Sequence, residues 1–330
     1  MTNYAINGFG RIGRVLLRVG YKDLKFTAIN SPAEPETQAH LLKYDSVYGE
    51  FPEKVDYTKD SLIIGRQEIK LTRERKPEEI PWKKAGVDVV AECTGIFKDR
   101  KSAAKHLKAG AKRVVISAPS KDSDLTVIKG VNDSELDPKK HKVINNASCT
   151  SNCFAPVAKL INDEIGIKDG FMVTAHGYTA SQNLLDGSHK DLRRARAAAV
   201  NIIPTTSGAS ISVTDAIPSL KGKIHSSAVR VPVIDGSIIY FIFTVKNKTT
   251  AEEVNKLFKK AAEKSYKGVI QYSNEPLVST DVIGNSHSAV FDSLLTEVSG
   301  NLVKVGAWYD NEWGYCCRMV DILKKFKNKL

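Results

Sequence analysis

The sequence predicts an α/β protein in two parts, a parallel sheet with crossover helices followed by a mixed α+β domain. Three observations carry this. Short apolar strands alternate with helical patterns through the first part. A glycine-rich turn joins the first strand to the first helix. Beyond about residue 148 the pattern changes to one long helix, a strand and a long polar segment.

Tyr4–Asn7 reads as a strand and Ile12–Gly20 as a helix. Phe26–Asn30 is a second strand, followed by helical Glu36–Lys43. Val87–Glu92 and Val114–Ser117 are strands around a helix near Ser102–Lys108. Cys149 opens a helix running to about Glu164, and Phe171–His176 is a strand. The polar segment from Gly177 to Asn201 contains "SHKDLRRARAAAV". It is too long for a plain connection, which marks it as functional or covered by a partner. Helices are expected at Thr206–Ile217 and Ala251–Lys264, strands at Ile238–Val245 and Val303–Tyr309, giving a mixed sheet with helices on one face. Tyr315, Met319, Ile322, Leu323 and Phe326 line one stripe of an amphipathic C-terminal helix.

The 330 residues are 42% hydrophobic, enough for two domains or one large unit. No run of about 18 apolar residues occurs, so no membrane span is expected. The N-terminus enters a strand without a basic and apolar leader, so no secretory signal is expected. The net charge of +12 admits a non-catalytic nucleic-acid-binding or adhesion protein. The lysines are spread along the chain, however, and only "KKFKNKL" is dense, which reads as a solvated surface. A positive field also attracts small phosphorylated substrates. Cys93, Cys149, Cys153, Cys316 and Cys317 are an odd, sparse set, which argues for reduced thiols and a cytoplasmic protein.

"AINGFGRIGR" places Gly8, Gly10 and Gly13 between a strand and a helix. Gly8 permits the turn, Gly10 admits a pyrophosphate to the backbone, and Gly13 lets helix and strand pack closely. The helix N-terminus offers free N–H groups to phosphate. A glycine turn without a ligand is the competing reading, but its place at the start of a β-α-β run favours a Rossmann-type dinucleotide-binding domain. The second strand of such a fold usually ends on an acid that holds the ribose. Here it ends on Ser31, and Pro32 follows.

In "NNASCTSNCFAPVAKL" Ser148 has the character of an N-cap, which puts Cys149 in the first turn of a helix, where the dipole favours thiolate. A small buried cysteine is the alternative, and it is the role expected of Cys153. No further ligand stands near the pair, so no metal site is expected. Of seven histidines, His176 ends an apolar strand, where it can reach a cleft and act as the base.

Taken with "HLLKYDSVYG", "ISAPS", "HKDLRRARAA", "IIPTTSGA", "AVRVP" and "WYDNEWGY", these motifs run in order along the whole chain. The sequence resembles phosphorylating glyceraldehyde-3-phosphate dehydrogenase of the bacterial or plastid type. The resemblance implies a dinucleotide-binding domain over 1–148, a catalytic domain over 149–311, and a C-terminal helix, 312–330, that returns to the first domain. It implies that the Cys149 thiolate attacks glyceraldehyde 3-phosphate, that His176 pairs with the thiolate and takes the hydroxyl proton, and that phosphate then cleaves a thioester. Ser148, Thr150, Ser207 and Gly208 match the family's inorganic-phosphate site. Thr179 and Arg230, with Arg196 nearby, match the site for the substrate's phosphate. Arg11, Ile12, Arg75 and Ser117 match cofactor contacts, Asn311 the residue that holds the nicotinamide amide, and Tyr315 a neighbour of its ring. Trp308 and Trp313 are expected in the core. The 177–201 segment matches a loop reaching a neighbouring subunit, which implies a homotetramer.

Some positions depart from the family. Ser31 replaces the usual Asp, and Ser188 stands where NAD-specific members tend to carry Pro and NADP-using ones Ser. Both point to NADP, alongside or instead of NAD. Ser181 replaces an acid that supports the substrate-phosphate site, and "VRVPVIDGS" departs at an expected subunit interface. Erythrose-4-phosphate dehydrogenase is the alternative activity, though Thr179 and "TTSGA" favour glyceraldehyde 3-phosphate.

Overall fold

The computed structural model describes residues 2–330. The chain divides into two units, one of Met1–Val127, Asp133–Ala147 and Cys316–Leu330, the other of Ile128–Asn132 and Ser148–Tyr315.

The first unit is built on a nine-stranded sheet. Its parallel part runs Leu125–Thr126, Val143–Asn145, Arg113–Ile116, Val89–Glu92, Asn3–Asn7, Lys25–Asn30, Gln67–Thr72. Ser61–Ile64 and Val55–Thr58 add an antiparallel edge. The central strands are continuous apolar runs because both faces are covered. Ala5, Ala28, Val90 and Trp82 pack in one buried cluster, and Val114, Ile116 and Val143 in another. Asn3–Asn7 lies between Lys25–Asn30 and Val89–Glu92, where the direction of winding reverses. In open α/β sheets the crevice at the carboxyl end of such a switch point binds ligands. The C-terminal helix, Trp313–Lys324, contributes its last two turns to this unit. Tyr4 Oη donates to the Leu323 carbonyl at 3.1 Å.

The second unit carries a seven-stranded mixed sheet in the order Ile203–Thr206, Ile224–Val231, Ile167–Gly177, Ser237–Val245, Leu302–Tyr309, Ala289–Ser299, Ile270–Ser273. Helix Cys149–Glu164 packs on its middle strands, and Ala251–Glu263 on Ala289–Ser299 and Ile270–Ser273. Phe241 and Phe243 point inward and are buried, whereas Ile242 between them is exposed. Phe171 and Ile242, opposite each other across the strand pair, share that exposed face. No helix among the described residues is long and apolar enough to cross a membrane.

The helix expected over Thr206–Ile217 is present as Ala209–Ala216, and a short strand, Ile203–Thr206, precedes it. The β-branched Ile203, Thr205 and Thr206 pair with Ser227–Arg230, and Ser207-Gly208 breaks the run. The helix near Ser102–Lys108 is two short pieces, Arg100–Ala103 and Lys105–Lys108. Trp308 and Trp313 are half-buried, and the fully buried tryptophan is Trp82.

Candidate active site

Cys149 is the first residue of its helix, as the Ser148 cap requires. Ser148 Oγ accepts the Ser151 N–H at 3.0 Å, which fixes the first turn. Ala147, just before the cap, holds φ at 51°, a left-handed conformation that costs a non-glycine residue roughly 1 kcal/mol. Cys149 Sγ lies 3.4 Å from His176 Nε2. His176 is next to last in strand Ile167–Gly177 and is 3% exposed. Its Nδ1 lies 2.7 Å from the Gly177 carbonyl oxygen and 2.7 Å from Arg230 Nη1, which itself donates to that carbonyl at 2.9 Å. Cys153, one turn deeper than Cys149, is fully buried.

Burial pushes the His176 imidazole down to about 3, and the Arg230 charge pushes the same way. Burial pushes the Cys149 thiol up, while Arg230 and the hydroxyl and N–H of Thr150 pull it back. A neutral imidazole in hydrogen-bond range of a thiol is the form that can accept its proton.

The residues matched to anion binding are distributed as follows. Thr150 turns its hydroxyl to Tyr309 Oη at 2.9 Å, and Tyr309 also meets Thr174 Oγ1 at 2.9 Å. Gly208 is the N-cap of helix Ala209–Ala216 and carries no side-chain cap. Ser207 Oγ accepts the Ala209 N–H at 3.2 Å. Thr179 Oγ1 lies 2.9 Å from Ser181 Oγ. Arg230 has no carboxylate partner among the described residues, and its buried Nε is without a hydrogen bond. Arg196 is engaged elsewhere, in an exposed pair with Asp186 at 2.9 Å. Its neighbour Arg194 is the arginine whose charge reaches His176 and Arg230. Arg194 and Tyr309 were not singled out by sequence. A basic residue two positions from Arg196 and a tyrosine ending an apolar strand were the available signals. Asn311 Oδ1 accepts the Ser237 hydroxyl at 2.6 Å, which turns its amide N–H groups outward as donors. Tyr315 is buried, and Ser188 is exposed in the long loop.

In the first unit the three glycines have distinct reasons. Gly8 has φ +93°, and a Cβ there would lie 2.7 Å from the Thr94 nitrogen. A Cβ on Gly13 would lie 2.1 Å from the Gly8 carbonyl oxygen, whereas no protein atom lies within 4 Å of one on Gly10. Helix Arg11–Gly20 has no side-chain cap and no acid in its first turn, so its N–H groups face outward as donors. Arg11 pairs with Asp45 at 2.5 Å, Ile12 is half-buried beside it, and Arg75 is exposed. Ser117 donates its N–H to the Glu92 carbonyl at 2.9 Å. Ser31 donates its N–H to Thr72 at 2.9 Å, and its hydroxyl has no protein partner among the described residues. Sequence reasoning missed the network beneath this loop. Asn7 donates to Glu92 at 2.6 Å, the fully buried His106 meets Glu92 at 3.0 Å, and Trp82 Nε1 donates to His106 Nδ1 at 2.9 Å.

A switch-point glycine loop in one unit and a Cys–His pair at a helix start in the other fit a pyridine-nucleotide-dependent oxidoreductase that works on an aldehyde. Residues 2–100 match the family described as glyceraldehyde 3-phosphate dehydrogenase, NAD binding domain, and residues 148–311 match its C-terminal domain. The chain is 49% identical over 327 residues to glyceraldehyde-3-phosphate dehydrogenase of Geobacillus stearothermophilus, covering 98% of each. It is 48% identical over 323 residues to glyceraldehyde-3-phosphate dehydrogenase 2 of Bacillus subtilis (strain 168), covering 97% of this chain and 95% of the relative. Against glyceraldehyde-3-phosphate dehydrogenase 2 of Nostoc sp. (strain PCC 7120) it is 48% identical over 336 residues, 100% and 99% of the two chains. The chain belongs to the glyceraldehyde-3-phosphate dehydrogenase family.

Proposed function

We propose that the chain oxidises glyceraldehyde 3-phosphate and phosphorylates the product to 1,3-bisphosphoglycerate, reversibly, through a thioester on Cys149. The observation that carries this is the 3.4 Å approach of Cys149 Sγ to His176 Nε2 at a capped helix start. The thiol proton passes to Nε2 as Sγ bonds to the aldehyde carbon. Nε2 hands that proton to the carbonyl oxygen, giving the hemithioacetal, and takes it back from the hydroxyl as the C–H bond gives up its hydride. Bound NAD or NADP supplies the hydride acceptor. Inorganic phosphate then attacks the thioester carbon, and Sγ leaves as thiolate.

Arg230 and Thr179 hold the substrate's phosphate, with Arg194 in the role that sequence matching gave to Arg196. The guanidinium suits it through its paired donors. Ser148, Thr150, Ser207 and Gly208 serve the inorganic phosphate through hydroxyl and backbone donors. The loop from Gly8 to Gly13 holds the pyrophosphate, with Arg11, Ile12, Arg75 and Ser117 around the nucleotide. Asn311 and Tyr315 serve the nicotinamide. Ser31 and Ser188 admit NADP beside NAD: no carboxylate ends the second strand, and the Ser31 hydroxyl is free to donate. Exposed Leu184, Leu185, Leu192, Val200 and Ile202 in the 177–202 segment support burial against other subunits, in a homotetramer. The cysteines stand as thiols rather than disulfides, in keeping with a cytoplasmic enzyme.

Cys149→Ser tests the chemistry. Phosphate-dependent cofactor reduction should fall by about 10⁴-fold or more, and retained activity would refute the thioester. Side-by-side kinetics with glyceraldehyde 3-phosphate and erythrose 4-phosphate decides between the two aldehydes. Kinetics with NAD and NADP tests Ser31, and a preference for NAD by several orders of magnitude would overturn that part.

A further inference from the structure

Asn311 is anchored by a short relay of hydrogen bonds. The Gly177 N–H donates to Ser237 Oγ at 3.2 Å, and the Ser237 hydroxyl donates to Asn311 Oδ1 at 2.6 Å. All three residues stand in the second unit, at or just past a strand end. Gly177 closes Ile167–Gly177, Ser237 opens Ser237–Val245, and Asn311 follows Leu302–Tyr309. Ser237 is the register partner of Tyr309, which sets it beside the turn that carries Asn311. Asp310 fixes the backbone of that turn. Its buried carboxylate accepts the N–H groups of Gly284 at 2.7 Å and Glu312 at 2.8 Å. Gly236 fixes the approach to Ser237. It has φ +82°, and a Cβ there would lie 2.2 Å from the Ser279 carbonyl oxygen.

The direction of the relay decides which end of the Asn311 amide faces out. Ser237 is 1% exposed, and among the described residues its hydroxyl proton has one acceptor, Asn311 Oδ1. Were the amide turned over, that proton would be buried without a partner, which disfavours the turned form by about tenfold or more. Asn311 Nδ2 is left with no protein partner among the described residues, and it is not sealed from solvent.

We propose that Ser237 is a positioning residue that locks the Asn311 amide with its N–H groups outward, so that the cofactor's carboxamide is recognised through its carbonyl oxygen and not through its NH2. This rests on the reading of Asn311 as the residue that holds the nicotinamide amide. An amide free to turn offers an acceptor as readily as a donor, whereas a locked one discriminates. A ring that carries a carbonyl oxygen therefore satisfies Asn311 whether or not an NH2 stands beside it. Ser237 is buried and acts through Asn311.

The test is calorimetric titration of the full chain with three probes. These are NADH, its reduced 3-acetylpyridine analogue, in which a methyl replaces the carboxamide NH2, and ADP-ribose, which has no nicotinamide ring. The reduced forms are chosen because their ring carries no charge. Ser237→Ala should weaken NADH and the analogue alike, by about 3- to 10-fold, and ADP-ribose by less than about twofold. In an Asn311→Ala background Ser237→Ala should cost NADH nothing more. Asn311→Asp keeps an acceptor for Ser237 but offers no N–H, so it should weaken both ring-bearing probes. That variant decides the matter even if Ser237→Ala does not fold. Equal weakening of all three probes by Ser237→Ala, no weakening of any, or a further loss in the Asn311→Ala background overturns the role of Ser237 alone. Weakening of NADH without the analogue, or undiminished binding of NADH by Asn311→Asp, overturns recognition through the oxygen. An Asn311→Ala chain that keeps its full preference for NADH over ADP-ribose overturns the nicotinamide role of Asn311 and the proposal with it.

Discussion

Helix Arg11–Gly20 and helix Cys149–Glu164 each begin at a functional loop, and neither has an acid in its first turn, yet one starts at a bare glycine and the other at a capping serine. At Gly10 no side chain caps the helix and a Cβ would meet no protein atom within 4 Å, which suits an end whose N–H groups are meant for phosphate. At Ser148 the cap takes up the Ser151 N–H and holds the turn that carries Cys149. A helix start can thus be kept open to bind an anion or closed to aim a nucleophile. The choice is made by the residue at the N-cap.

The comparison breaks most sharply at the glycines. Gly13→Ala forces a methyl to within 2.1 Å of a backbone carbonyl, and no side chain can yield. A loss of about 1–3 kcal/mol in urea unfolding is expected, together with loss of nucleotide binding. Gly10→Ala meets no protein atom, so its stability should stay within about 1 kcal/mol while nucleotide affinity falls, read by fluorescence titration. Equal destabilisation by both would erase the distinction.

A smaller effect separates the two ends by pH. The His176 folded value lies near 3 against 6.5 unfolded, so between those values the unfolded chain binds the extra proton. Stability from the neutral imidazole is therefore present above pH 6.5 and lost as pH falls toward 3. His176→Gln should flatten this acid limb in melting midpoints, whereas Gly10→Ala should leave it unchanged. Smallest is Ser148→Ala, which should cost about 1 kcal/mol. It should also slow iodoacetamide alkylation of Cys149, because the first turn loses its anchor.

The sequence made the parallel core and the Cys149 helix legible because local signals were complete there. Apolar runs ended at glycines, and Ser148 marked the start of the helix to the residue. Cys149 and His176 could each be chosen from local context. What lay hidden depends on register. Arg230 meets His176 only because Ile224–Val231 pairs with Ile167–Gly177 in one alignment, and no local pattern encodes that alignment. Strand Ile203–Thr206, just before the expected helix, was hidden for a similar reason, since its pairing with Ser227–Arg230 is what holds it. Arg194 and Arg196 lie in one basic run, and only the folded loop distinguishes the arginine whose charge reaches His176 from the one bound to Asp186.

The grouping of Cys316–Leu330 with the N-terminal residues has a consequence for synthesis. Domains generally form as units while the chain emerges from the ribosome. Here the first unit lacks a piece until Cys316–Leu330 has been made, because Tyr4 waits for Leu323 and Thr2 for Phe326. The catalytic half is complete in sequence before the nucleotide-binding half is. A chain cut after Tyr315 would therefore damage the unit whose synthesis began first.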